Sequence, residues 1–161
     1  MAKIKVHNIL HTSGQALLTL QLEERKMEFL ASALYPLREE GISIPFIVQS
    51  IEQNGNFILT LLTDGPNLDW VRAALQEGLD LSISTPHQIR KEVALITLYG
   101  PHLGERPGIA HQILSSLATD RVEVLALSAS INSCLLAVPQ DSLPKCFRSL
   151  DRIFEIPMKE K

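Results

Sequence analysis

The chain has 161 residues, room for one ordinary domain or two small ones. Its composition, 45% hydrophobic and 20% charged with a formal charge of −3, is that of a water-soluble globular protein, and no Lys/Arg cluster offers a surface to nucleic acid or acidic membrane. No apolar run approaches the roughly 20 residues of a membrane span, MAKIKVHNIL lacks a signal peptide's apolar segment, and Cys134 and Cys146 lie outside any CxxC, reading as buried small hydrophobes of a cytoplasmic protein.

In chain order, KIKVHNIL (3–10) predicts a strand, and ALLTL (16–20) predicts a buried one. The stretch LEERKMEFLASAL leads into a helix, because Leu30, Leu34 and Leu37 fall at i, i+4 and i+7 with Ala33 beside them. ISIPFIVQSI (42–51) predicts the next strand, Asn54-Gly55 a hairpin turn, and FILTLLT (57–63) the returning strand. A second helix follows, with Trp70, Val71, Ala74 and Leu75 on its inner face. SISTPHQIRKE (82–92) reads as a linker with room for an edge strand at its start.

Then the pattern returns. ALITL (94–98) repeats ALLTL, and GPHLGERPG leads to a helix on which Ala110, Leu114 and Leu117 form the stripe with Ile113 beside them. VEVLALSASI (122–131) and CLLAV (134–138) predict two strands about a tight Asn132-Ser133 turn. The last helix places Leu143, Phe147, Leu150, Ile153 and Phe154 inward. The order is β-α-β-β-α twice, with an extra strand available at each end. That is the α+β, ferredoxin-like pattern with antiparallel sheets. Units this small are marginal alone, so sheet is expected to pack on sheet, within a chain or in a dimer.

The loop from Gly100 to Gly108 is the sequence's clearest candidate site. A helix N-terminus presents unpaired N–H groups and a positive dipole end, where a carboxylate docks. Glycines at 100, 104 and 108 permit close backbone approach, Pro107 suits a first helical turn, and His102 and Arg106 are possible anion partners. The competing reading is purely structural, since Gly-Pro turns link strands to helices in many folds. The matching loop of the first half has no glycine.

Enzyme chemistry finds no support. The loop lacks the Gly-Lys-Ser/Thr ending of a phosphate loop, and no G-x-G-x-x-G follows a strand. His7 and His11 on a strand would stand roughly 13 Å apart, too far to share a metal. His87, His102 and His111 lack ligand spacing, Ser115-Ser116 and Asp120 have no paired histidine, and Glu23-Glu24 and Glu39-Glu40 read as solvated helix ends. No catalytic residue, cofactor or metal is expected.

The repeat resembles a pair of ACT domains, small-molecule regulatory modules, and the pair resembles the C-terminal regulatory region of aspartokinase over nearly the whole chain. The strongest stretch is VALITLYGPHLGERPGIAHQILSSLATDRVEVLALSAS, in which Gly100, Pro107, Gly108, Ser128 and Ser130 match the family's strand–Gly loop–helix–strand pattern. Pro101-His102 stands where that pattern has its second glycine. In the first half, ISIPFIVQS matches, including Gln49.

The resemblance implies an N-terminal strand (1–15) completing the second unit, a first ACT-like unit over 16–85 and a second over 86–161. It also implies an effector amino acid held between the first unit's loop and the second unit's second strand. The candidate positions are Arg25, Lys26, Met27, Glu28, Gln49, Ser50, Arg121, Val122, Glu123 and Val124. The second loop adds Gly100, His102, Gly104, Arg106, Pro107, Gly108 and Ile109. Several positions depart from the family. Arg25 replaces an acid, Met27 and Glu28 replace proline and glycine, and Arg121 and Glu123 replace asparagines. Glu28 would meet a ligand's carboxylate with like charge, so either a ligand with a cationic group is bound or binding is lost.

The implied function is a non-catalytic module that senses an amino acid or related small ligand, dimerises, and controls a partner such as an aspartokinase catalytic chain. The alternative is a ligand-free ACT-pair scaffold acting through dimerisation or protein contact. The small subunit of acetolactate synthase, with one ACT unit, does not match the visible repeat.

Overall fold

A computed structural model describes residues 3–23, 29–80 and 87–155. Four α-helices and eight strands occur among them. The chain divides into two compact units, a continuous one over 14–91 and a discontinuous one built from 1–13 and 92–161. The dividing points fall inside two long strands, β2 (Asn8–Leu22) and β5 (His87–Tyr99). Residues 87–92, expected in a linker, are therefore strand.

In the continuous unit, β2 pairs antiparallel with β4 (Phe57–Asp64), which pairs antiparallel with β3 (Phe46–Ile51). The register sets Leu18 opposite Leu61, Leu20 opposite Leu59 and Leu22 opposite Phe57. Alternate residues share a face, so these six form one apolar floor. Ala33 and Leu37 of α1 (Leu30–Glu39) and Val71 and Leu75 of α2 (Leu68–Gly78) complete the core. Trp70, expected inward, is instead 39% exposed; Leu68 takes the buried place. The helices come close at Gly78, where an added Cβ would lie 2.5 Å from Ala33 Cα.

The β3–β4 turn forms at Asn54-Gly55 as its sequence demands. Gly55 has φ 86°, and Glu52 N–H donates to the Asn56 carbonyl at 2.7 Å. Strand β3 starts only at Phe46, because Pro45 has no N–H to give the ladder. Ile42 and Ile44 still pack on the core.

In the discontinuous unit, β5 pairs antiparallel with β7 (Ser133–Pro139) and β7 with β6 (Ala126–Ala129). A separate two-stranded parallel sheet joins β1 (Ile4–Lys5) to β8 (Phe154–Glu155). Val6, just past β1, is 1% exposed and belongs to this unit's core with Ile96, Leu98, Leu136 and Leu150. Phe154, expected on the last helix, is a β8 residue; the helix, α4, spans Leu143–Asp151.

Helix α3 (Ile109–Thr119) buries Ile109, Ile113 and Leu117. Of the expected stripe, Leu117 and the neighbouring Ile113 are buried, but Ala110 is exposed and Leu114 is 43% exposed, and the row runs through Ile109 instead. Both rows are apolar at four-residue spacing, and the core selects the one with the larger residues. The strand expected from 122 begins at Ala126, because the preceding turn ties Val122 N–H to the Leu117 carbonyl at 2.9 Å. Cys134 and Cys146 are free and buried in this core, and burial pushes both thiols up to about 11.

A polar clasp links α3 to α4. Ser149 Oγ donates to the Asp120 carboxylate, Arg152 Nη2 donates to the same carboxylate at 3.0 Å, and Ser116 Oγ donates to the Ser149 carbonyl at 2.9 Å. The Ser149 hydrogen bond, then that of Arg152, holds the Asp120 carboxyl below the usual carboxylate range. A folded-state value below the unfolded one contributes stability above the unfolded value and loses it as pH falls. Melting temperature followed from neutrality to about pH 3 is therefore expected to fall more steeply for the wild type than for Asp120→Asn. Parallel curves would mean that the clasp contributes nothing in solution.

Candidate functional site

The sequence's candidate loop is seated on its own neighbour. Gly100 N–H donates to the Asn132 carbonyl at 2.9 Å, His102 N–H to Asn132 Oδ1 at 3.3 Å, and Gly104 N–H to the Ile131 carbonyl at 3.0 Å. These acceptors form the β6–β7 turn, which closes with Ser130 N–H donating to the Ser133 carbonyl at 2.8 Å. The turn thus centres on Ile131-Asn132, one residue before the expected Asn132-Ser133. A Cβ added at Gly104 would lie 2.2 Å from the Ser130 carbonyl oxygen, and one at Gly100 would lie 3.3 Å from Val6. Two of the three loop glycines thus serve approach to the protein's own chain.

Gly108 is different. It precedes α3 with φ 79°, a left-handed conformation that favours glycine, and a Cβ there would meet nothing within 4 Å. Pro107 stands before this cap rather than in the first helical turn. Ile109 begins the helix and is buried, so its side chain serves the core. The open space at Gly108 lies at the positive end of α3. Arg106 is exposed beside it. His102, also left-handed at φ 54°, holds its Nδ1 2.7 Å from Glu105 Oε2, so the loop's own acid already engages the candidate anion partner.

Arg121, Val122, Glu123 and Val124 follow the far end of α3, whose 11 residues span roughly 16 Å. Arg121 has φ 54° and occupies the helix-ending position that Gly41 (φ 66°) fills after α1. In both places the next N–H returns to the helix, Val122 to Leu117 and Ile42 to Leu37. Val122 is buried in the core and Val124 packs against it, while Arg121 and Glu123 are exposed. Gln49 and Ser50 belong to the continuous unit, on β3. Gln49 is half-buried opposite Leu59, and Ser50 is exposed opposite Ile58. Arg25, Lys26, Met27 and Glu28 lie outside the described residues.

Sequence reading missed Asn132, whose backbone and side chain both hold the loop; its position in a tight turn was the available signal. It also missed Glu105, three residues after His102. His7 faces the Tyr99 ring, with centroids 5.9 Å apart, and His11 meets Phe147 edge-on at 5.3 Å. Among the described residues no group of three or more His, Cys, Asp or Glu could hold a metal ion. No described helix is long and apolar enough to cross a membrane.

No protein-family model matches the chain, and none of the curated proteins is a significant match. Solved structures do match. The ligand-free regulatory subunit of aspartate kinase from Thermus thermophilus aligns over 93% of this chain and 99% of its own, with a TM-score of 0.78 at 17% identity. Aspartate kinase from Synechocystis aligns over 97% of this chain and 28% of its own, with a TM-score of 0.77 at 18% identity. Escherichia coli aspartokinase III, solved in complex with lysine and aspartate, aligns over 93% of this chain and 33% of its own, with a TM-score of 0.66 at 21% identity. The chain thus has the fold of aspartate kinase regulatory subunits along nearly its whole length, and it spans about a third of the full-length kinases.

Proposed function

We propose that this chain is a non-catalytic regulatory module made of two ACT-like, ferredoxin-like units. In this reading it binds an amino acid or a related small ligand and controls a partner enzyme, with an aspartokinase catalytic chain as the expected partner and a homodimer as its working form. The N-terminal strand completes the second unit. The observation that carries the reading is end-to-end likeness to a regulatory subunit of aspartate kinase, over 93% of this chain and 99% of that one. Gly108 adds local support, since its open left-handed cap leaves the N-terminus of α3 approachable by a carboxylate.

The mechanism is population shift. A ligand that contacts one arrangement of the units better than another favours that arrangement, and a partner reads the difference. A thermal-shift screen against the twenty amino acids at about 10 mM tests it. A ligand present at 100 times its dissociation constant adds about 2.7 kcal/mol, a rise of several degrees. A selective rise is the expected result, and co-purification with an aspartokinase catalytic chain tests the partner.

A second reading, the ligand-free scaffold, draws on two specific observations. Gly104 packs on the Ser130–Ile131 backbone, and Glu105 already engages His102. A flat amino-acid panel would favour that reading.

A further inference from the structure

On the outer side of the continuous unit's helix pair runs a groove of about 350 Å³, lined by Pro36, Trp70, Ala73, Ala74, Glu77 and Gly78. Trp70 and Glu77 are seven residues apart on α2, two turns and roughly 10 Å. Ala73 and Ala74 lie between them and Pro36 of α1 lines the wall, so small residues leave a trough with an indole at one end and a carboxylate at the other. Trp70 is 39% exposed and Glu77 is exposed. Among the described residues, neither the indole N–H nor the Glu77 carboxylate has a hydrogen-bond or ion-pair partner. Gly78 ends α2, so the helix's negative pole lies at the Glu77 end and reinforces its charge.

We propose that this groove is a docking site for an arginine side chain carried on a partner protein. The alkyl stem would cross the indole and the alanines, and the guanidinium would meet Glu77 in a paired, charge-assisted contact. Arginine suits the site better than lysine, because its planar, weakly hydrated head stacks on aromatic faces and forks onto carboxylates. A protein-borne side chain suits it better than a free amino acid. None of the six lining residues is basic, so a free ligand's α-carboxylate would find no counter-charge there. Exposed tryptophan paired with an incoming arginine is also the composition of protein-interface anchor points.

Trp70 is the chain's single tryptophan, so its indole N–H gives one unambiguous NMR cross-peak. The probe is acetyl-Ala-Ala-Arg-Ala-Ala-amide, titrated to about 20 mM against the full ¹⁵N-labelled chain. The expected result is a saturable shift of that peak and of α2 amides, with affinity about threefold weaker in Glu77→Gln, with the citrulline peptide and with free arginine. Glu77 is exposed, and the dispersion of the variant's spectrum shows that it is folded. An unmoved indole peak over the whole titration overturns the proposal. Equal affinity for the citrulline peptide overturns the ion pair, and equal or tighter binding of free arginine makes the groove a small-molecule site instead.

Discussion

Gly104→Ala is expected to destabilise the protein by about 3 kcal/mol. The added methyl would lie 2.2 Å from the Ser130 carbonyl oxygen and 2.7 Å from its carbon, where the neighbour is backbone and cannot rotate away. One side must move. If the loop lifts, Gly104 N–H loses the Ile131 carbonyl, and the Gly100 and His102 bonds to Asn132 stretch with it. Each such bond contributes about 1 kcal/mol net. If the hairpin moves instead, the β6–β7 register beneath it is disturbed. Urea denaturation, read as a change in midpoint at constant slope, measures the loss. An unchanged midpoint would mean that the loop is not seated on the hairpin in solution, and the glycine would return to the reading of an opening for ligand.

Gly78→Ala is expected to cost about 2 kcal/mol, against the sign of helix propensity. In an open helix the same change would gain up to about 1 kcal/mol. Here the new methyl falls 2.5 Å from Ala33 Cα and 2.7 Å from Ala33 Cβ, so α1 and α2 must part. The packing of Ala33, Leu37, Val71 and Leu75 opens with them. Adding Ala33→Gly removes the overlap between the two methyl groups but leaves the clash with the α1 backbone, so the double variant is expected to recover only part of the loss. Thermal melts of the three proteins make the comparison, and a stabilised single variant would refute the close helix crossing.

Much of the fold was legible because it is local. The echo of ALLTL in ALITL, the Asn54-Gly55 turn and the four-residue spacing of apolar side chains each fix structure within a few residues. The errors have physical causes. On α3 two adjacent rows are apolar, Ile109–Ile113–Leu117 and Ala110–Leu114, and periodicity alone does not rank them. Trp70 adjoins Val71 in an apolar run, but the buried row of α2 is Leu68, Val71 and Leu75 at i, i+3 and i+7, and one residue's step turns Trp70 about 100° away from it. Pro45 announces the late start of β3, and a reading by apolar runs passes over it.

The candidate site was legible in composition and less so in geometry. A glycine in sequence declares only that something comes close. For Gly100 and Gly104 that something is Val6 and the Ser130–Ile131 backbone, 94 and 26 residues away in the chain, and no local pattern carries such a contact. Gly108 keeps its open face. The parallel pairing of Ile4–Lys5 with Phe154–Glu155 is likewise invisible to any local window; only the resemblance suggested that the N-terminal strand joins the second unit.

That pairing has a consequence for how the protein is made. Ile4–Lys5 leave the ribosome about 150 residues before Phe154–Glu155, the strand they bond to. Residues 14–91 are contiguous and can condense as soon as they emerge. Val6 and Ile9 must wait for the rest of their core, the segment from 92 onward, before they can be covered. At about 5–20 residues per second, nascent chains carry this apolar strand bare for roughly seven to thirty seconds, the interval in which a chaperone would have to hold it.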